Sequence, residues 1–211
     1  TAVQGYFLNG GSRAYVVNLG KDGTLAGKGS APGGLTLLEA IDDVAIVCAP
    51  GYTDPASQDA LIAHCEHPLR QDRVAILDLV EDVDDVGRLL EVATAGVPDK
   101  PPRPADGDAA GETDPKPPPA ASTPSKGLGP QRSKEGYAAT YYPWLVVMDP
   151  VSGEKVTAPP SGHMAGVWAR TDATRGVHKA PANTNIAGVI DLKSRVSKGD
   201  QELLNPAGIN C

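Results

Sequence analysis

Three cysteines in 211 residues, Cys48, Cys65 and Cys211, are odd in number and widely spaced. That excludes a disulfide scaffold and fits the usage of a reducing compartment. No apolar run reaches the roughly 18 residues that a membrane-spanning helix needs. The start, "TAVQGYFLNGG", lacks a basic stretch followed by an apolar one, so it does not encode a secretory signal. Basic residues are in the minority, 19 Lys and Arg against 26 Asp and Glu, for a net charge of −7. Nucleic acid is therefore a poor main partner, because phosphate binding needs a basic face. Nucleotide fingerprints are missing as well. "GYFLNGG" and "GKGSAPGG" are glycine-rich, but neither follows a strand and opens a helix as GxGxxG requires, and no GxxxxGK[ST] occurs.

What is present is an alternation of buried strands and helices. "RAYVVNL" (Arg13 to Leu19) is a short run rich in strand formers, and the turn-rich "GKDGTLAGKGSAPGG" follows it. "LTLLEAIDD" has helical spacing. "VAIVCAP" (Val44 to Pro50) is apolar on both faces, as a strand covered on both sides must be. Asp54 is placed to cap a helix with Pro55 at its first position, running to about His67 before Pro68. "RVAILDLV" is a second continuous apolar strand. "DVDDVGRLLEVATAG" is expected to be a helix with acids in its first turn and Gly96 near its C-cap. "ATYYPWLVVMDP" predicts a further buried strand, "VSGEKVTAPP" a loop, and "SGHMAGVWARTDAT" a helix opened by Pro159 or Pro160. "IAGVIDL" and "SKGDQELL" predict a strand and a short helix. The expected class is α/β, a mostly parallel sheet flanked by helices.

Half of the 20 prolines fall between Pro98 and Pro130, with no periodic apolar residue among them. The span 97–136 is therefore expected to be a flexible surface insertion between a first part, 1–96, and a second part, 137–211, of one domain. The chain starts without Met and stops directly after the turn-like "NPAGIN". A complete domain usually ends in dispensable polar residues, so the chain is expected to be the middle of a longer protein.

Several residue sets invite a chemical reading. Pro50-Gly51, Asp78 and Asp149 stand at strand ends, where open α/β sheets hold ligands. "HCEH" (His64, Cys65, His67) looks like a metal cluster, and His64 and His67, three apart, share a helix face. Two ligands do not close a zinc site, however, and no partner pair has ligand spacing. Cys48 lies inside an apolar strand, where a thiol behaves as a small hydrophobe rather than a nucleophile served by His64 or His178. Glu81, Asp82, Asp84 and Asp85 suit a helix start. "SGHMAGVWARTDATRGVHKAPAN" (Ser161 to Asn183) gathers Arg170, Asp172, Arg175, His178 and Lys179. These are spaced too closely for an obvious acid–base–nucleophile set and suit docking against acidic protein surface. The rival readings are a hydrolase-like α/β enzyme using the strand-end acids with His163 or His178, and a monomeric binding module that presents the Pro-rich span.

"YYPWLVVMDP", "PPSGHMAGVWARTDATRGVHKAPAN", "AGVIDL" and "LNPAGINC", with "GYFLNGGSRAYVV" and "VAIVCAPG" before them, strongly resemble the tail sheath protein of contractile phage tails and phage-tail-like contractile injection systems. The resemblance spans nearly the whole chain outside 97–136. It implies a structural subunit, not an enzyme, that polymerises with itself as helical rings around an inner tube protein. It further implies baseplate and cap proteins as partners, cytoplasmic assembly, no cofactor or metal, no nucleic acid and no membrane insertion. Extended terminal arms and the C-terminal domain of the family are not represented in this sequence. The resemblance assigns the Ser161–Asn183 run to domain geometry and subunit contacts. Arg170 and Arg175 are expected to make ion pairs, within the domain or to a neighbour.

Overall fold

The computed structural model describes residues 1–20, 23–27, 33–69, 71–94 and 127–211. In chain order the elements are α1 (Ala2–Leu8), β1 (Ile46–Cys48), α2 (Pro55–Glu66), β2 (Val74–Asp78), β3 (Ala138–Tyr141), β4 (Leu145–Met148) and β5 (Lys155–Ala158). They continue with α3 (Ser161–Arg175), β6 (Val189–Leu192), α4 (Lys198–Leu204) and β7 (Ile209–Asn210). Four strands form an all-parallel sheet in the order β1-β2-β3-β7, and three form an antiparallel sheet in the order β5-β4-β6. The α/β class is as expected. The antiparallel sheet is an addition that the sequence did not announce.

Alternation along β2 builds the layers. Ala75 and Leu77 face the apolar side of α2 at Leu61, Ile62 and Cys65, whereas Ile76 faces Met164, Ala165 and Val167 of α3. Successive side chains on a strand point to opposite faces, so a continuous apolar run is what a strand between two helix layers requires. Asp54 caps α2 as expected: its Oδ1 accepts from Ser57 N at 2.9 Å, with Pro55 at the first helical position. A third cluster around Leu79, Leu89, Tyr142, Leu204 and Ile209 closes the C-terminal end of the sheet. A fourth, Leu145, Val147 and Ala158, lies under the antiparallel sheet. Among the described residues no helix is long and apolar enough to cross a membrane.

Five local expectations need correction. "ATYYPWLVVMDP" is two strands in two sheets, β3 and β4, because Pro143 has no N–H to continue a ladder. Trp144 pins the corner by donating Nε1–H to Leu79 O at 2.7 Å. "VSGEKVTAPP" holds a turn capped by Asp149 and then β5, whose exposure pattern gives little apolar signal. The helices expected at "LTLLEAIDD" and "DVDDVGRLL" are single 3-10 turns, Gly34–Leu38 and Val86–Leu90. Asp85 caps the second by accepting from Gly87 N at 2.9 Å, and the chain then extends to pair Val92 with Gly129. Arg13–Leu19 is not a strand and joins no sheet among the described residues.

Residues 95–126, which include Gly96 and part of the Pro-rich span 97–136, lie outside the described residues. Residues 127–136 of that span pack on the domain. Leu128 is buried, Gln131 N donates to Gln58 Oε1 at 2.8 Å, and Ser133 Oγ donates to Glu66 Oε1 at 2.6 Å. Residues 127–136 therefore belong to the body of the domain.

Candidate subunit-contact surface

The run Ser161–Asn183 is organised by α3, and α3 is anchored at its first residue. Asp78, at the C-terminal end of β2, accepts from Ser161 N at 2.9 Å, from Ser161 Oγ at 2.7 Å and from Gly51 N at 3.1 Å. One carboxylate thus ties the central strand, the loop after β1 and the N-terminus of the longest helix. It satisfies one of the amides a helix start leaves open. Asp78 is 1% exposed. Burial pushes its pKa up to about 6, against the opposing pull of those three donors. Gln58 Nε2 donates to Asp78 O at 2.8 Å, so α2 is bound to the same point.

The middle of α3 is a platform for α1. Added Cβ atoms at Gly162 and Gly166 would lie 2.7 Å from Ala2 O and 2.3 Å from Tyr6 O, and one at Gly5 would lie 2.4 Å from the His163 ring. The two helices approach this closely because these positions carry no side chain. His163 is buried, its Nδ1 has no hydrogen-bond partner among the described residues, and burial lowers its pKa. Just after α1, fully buried Asn9 donates Nδ2–H to Gly5 O at 2.9 Å and Ala187 O at 3.1 Å, and accepts from Ala187 N at 2.7 Å. It joins the end of α1 to the segment that enters β6. Asn9→Ala strands the Ala187 groups without partners and is expected to cost about 1–3 kcal/mol. The thermal unfolding midpoint measures this, and an unchanged midpoint would remove Asn9 from the anchor.

The five residues singled out in the sequence divide into three environments. Arg170 lies along Gly10 and donates Nη2–H to Asn185 O at 3.1 Å, a carbonyl rather than a carboxylate. Asp172 lines a cavity beside β1, and burial raises its pKa. Arg175, His178 and Lys179 are exposed around the C-terminus of α3, where Gly176 turns the chain at φ 88°. Among the described residues none of the five makes an ion pair within the chain. Three cationic or basic side chains at a helix C-terminus also complement the negative end of its dipole. The cluster is a surface whose free groups point outward.

The residues named for the enzyme alternative are dispersed. Asp78 is saturated by its three donors, Asp149 caps its own turn through Ser152, His163 is packed on Gly5, and His178 is exposed. Burial pushes the Cys48 thiol up to about 12 and the Cys65 thiol up to about 12, so both stay protonated at neutral pH. His64 is buried near Arg73 Nη1 at 3.4 Å, and His67 Nδ1 accepts from Leu69 N at 3.3 Å. Among the described residues no group of three or more His, Cys, Asp or Glu side chains is placed to hold a metal. The joints that sequence reasoning missed are Asn9, the Gly5–Gly162–Gly166 contact and the Asp78–Ser161 bond. The only available signal was the small-residue spacing of "SGHMAG".

Residues 129–211 match the family described as phage tail sheath protein central domain. No curated protein sequence matches significantly. The fold is similar to the anti-feeding prophage helical sheath in its contracted state, with a TM-score of 0.55 and 25% identity over 99% of this chain and 45% of that one. It is similar to a chain of the anti-feeding prophage baseplate at TM-score 0.53 and 24% identity, covering 99% of this chain and 44% of that one. A third likeness is to the sheath complex of an extracellular contractile injection system, PVC, in the contracted state. There the TM-score is 0.57 and identity 22%, over 97% of this chain and 42% of that one. The chain spans less than half the length of the solved chains it matches.

Proposed function

We propose that this chain is the central part of a structural subunit of a contractile tail sheath. The observation that carries the reading is the shared fold with the contracted anti-feeding prophage sheath over 99% of this chain, at 25% identity. In this reading copies polymerise as helical rings around an inner tube protein, between a baseplate and a cap, in a particle assembled in the cytoplasm. Contraction drives the tube through a target envelope. No bond is made or broken: the driving free energy is released as bistable interfaces between rigid subunits repack into a more stable arrangement. Head-to-tail contacts between unlike surfaces generate open helical filaments. A rigid subunit suits that task, and the knot at Asp78 fixes the helix that carries the candidate contacts.

The exposed end of α3 supplies one such contact. Arg175, His178 and Lys179 lack partners of opposite charge in their own chain among the described residues, and a molecule of net charge −7 offers acidic surface on every neighbouring copy. Arg170 is instead committed to the Asn185 carbonyl, and Asp172 lines the cavity beside β1. The test is negative-stain electron microscopy of the full-length protein coexpressed with its tube protein. Hollow striated cylinders are expected, and discrete monomers under all conditions would overturn the sheath reading. The double variant Arg175→Glu, Lys179→Glu is expected to lower the unfolding midpoint only slightly, through the lost complement to the α3 dipole, yet yield no cylinders. Normal cylinders from it would overturn the role of the α3 end alone.

A further inference from the structure

The four-stranded sheet has an open side. Among the described residues β1 pairs only with β2. Its register, Ile46 opposite Val74 with Val74 N donating to Ala45 O, turns the main-chain groups of Val47 toward β2 and leaves those of Ile46 and Cys48 directed away from it. Beyond that edge lies a cavity of about 780 Å³. Its far wall is residues 13–20, its floor includes Gly162 and Ala165 of α3, and its near wall is residues 43–50. A buried or half-buried strand edge with no partner is a cost that folded chains normally remove.

The far wall has the properties of the missing strand. "AYVV" is rich in β-branched and aromatic residues. Exposure alternates at its end, with Val17 and Leu19 half-buried against the core and Asn18 outward. The start of the stretch is tethered on both sides. Arg13 pairs with Asp43 and Tyr15 Oη–H donates to Asp43 Oδ1 at 2.9 Å, while Tyr6 Oη–H of α1 donates to Arg13 O at 2.8 Å. Asp43 lies three residues before β1, so the start of Arg13–Leu19 is held beside the start of β1, and a strand continuing from there along β1 would run parallel to it. A parallel neighbour needs a crossover of about a dozen or more residues, and the connection from 20 to 45 supplies it.

We propose that Arg13–Leu19 is a closing strand. It crosses the cavity and pairs in parallel along β1, and the domain alternates between the open edge described above and a five-stranded sheet. Asp43 acts as the hinge pin in both states. In the open state the Ile46 and Cys48 main-chain groups are available to another extended segment; in the closed state they are covered. This goes beyond the sheath assignment and does not depend on it.

Amide hydrogen exchange on the chain tests the proposal. The Ile46 and Cys48 amides are expected to exchange at least about tenfold more slowly than those of the 149–153 turn. In Val16→Pro, at an exposed site, that protection is expected to fall about tenfold while Ala75 and Leu77 of β2 are unchanged. If Val16→Pro also loosens β2, Val16→Gly replaces it, with protection at Ile46 and Cys48 expected to fall several-fold. Fast exchange at Ile46 and Cys48 in the wild type overturns the closing strand. So does protection that neither variant reduces.

Discussion

Gly166→Val is expected to detach α1 from α3 and to lower stability by about 3 kcal/mol or more. A Cβ at this position falls 2.3 Å from Tyr6 O and 2.8 Å from the Asn9 side chain, and the first of these is backbone that cannot rotate away. The valine therefore forces the helices apart rather than displacing a flexible side chain. Separation also breaks the Asn9 bonds to Ala187 and exposes His163, whose ring packs on Gly5. The urea midpoint, followed by the fluorescence of Trp144 and Trp168, should fall sharply, and protease should cut near Gly10–Gly11. Gly199→Ala in α4 is the control. Its nearest neighbour would be Ser197 Oγ at 3.7 Å, so relief of glycine's backbone entropy should leave it slightly more stable, by about 0.5 kcal/mol. An unchanged midpoint for Gly166→Val would mean that α1 does not seat on α3.

The contrast between these two glycines shows what sequence could and could not reveal. β1, β2, α2 and α3 were legible because each has a strong local signature: a continuous apolar run, or a capping Asp54 followed by Pro55. β5 was not, since an edge strand reading Lys-Val-Thr-Ala carries almost no period. The two 3-10 turns were over-read as helices because their leucines repeat at helical spacing over barely one turn. At the candidate surface, the residue types were visible but their partners were not. Within the chain Arg170 donates to the Asn185 carbonyl rather than to a carboxylate, while Asp172 lines the cavity. Asn9, in the glycine-rich "GYFLNGG" that matched no fingerprint, is the fully buried bracket to residue 187. A contact across 178 residues of sequence separation leaves no mark on local composition.

The two ends of α3 also carry different physics, and this bears on how a sheath subunit would work. The C-terminal end offers exposed charge, whose attraction to a neighbour is screened by salt and easily exchanged during repacking. The N-terminal end is dry, and its one charge is committed to internal donors. A subunit that slides against its neighbours without unfolding needs that division between a fixed anchor and an exchangeable contact.

The anchor has a pH signature. The folded-state pKa of Asp78, about 6, lies above the ordinary 3.8, so between these values the folded protein holds a proton that the unfolded chain has released. Its contribution is fully present below about pH 4 and is lost as pH rises through about 6, a decrease of about 3 kcal/mol. When protonated, the acid donates to Ser161 Oγ and still accepts from Ser161 N and Gly51 N; when ionised, it accepts all three in a dry site. Asp43, Glu66, Asp72, Asp84, Asp149 and Asp200 have lowered pKa values, each with a hydrogen bond as its largest cause, and so lose stability in the opposite direction, as pH falls. The comparison with Asp78→Asn separates them. The amide has one acceptor oxygen for these donors, so at least one N–H loses its partner, at a cost of about 1–3 kcal/mol at low pH. Its stability should then lack the decline between pH 4 and 6, and the gap to wild type should narrow as pH rises to 7. Parallel curves for the two proteins over that range would mean that Asp78 does not titrate there and that the α3 anchor is ionised throughout.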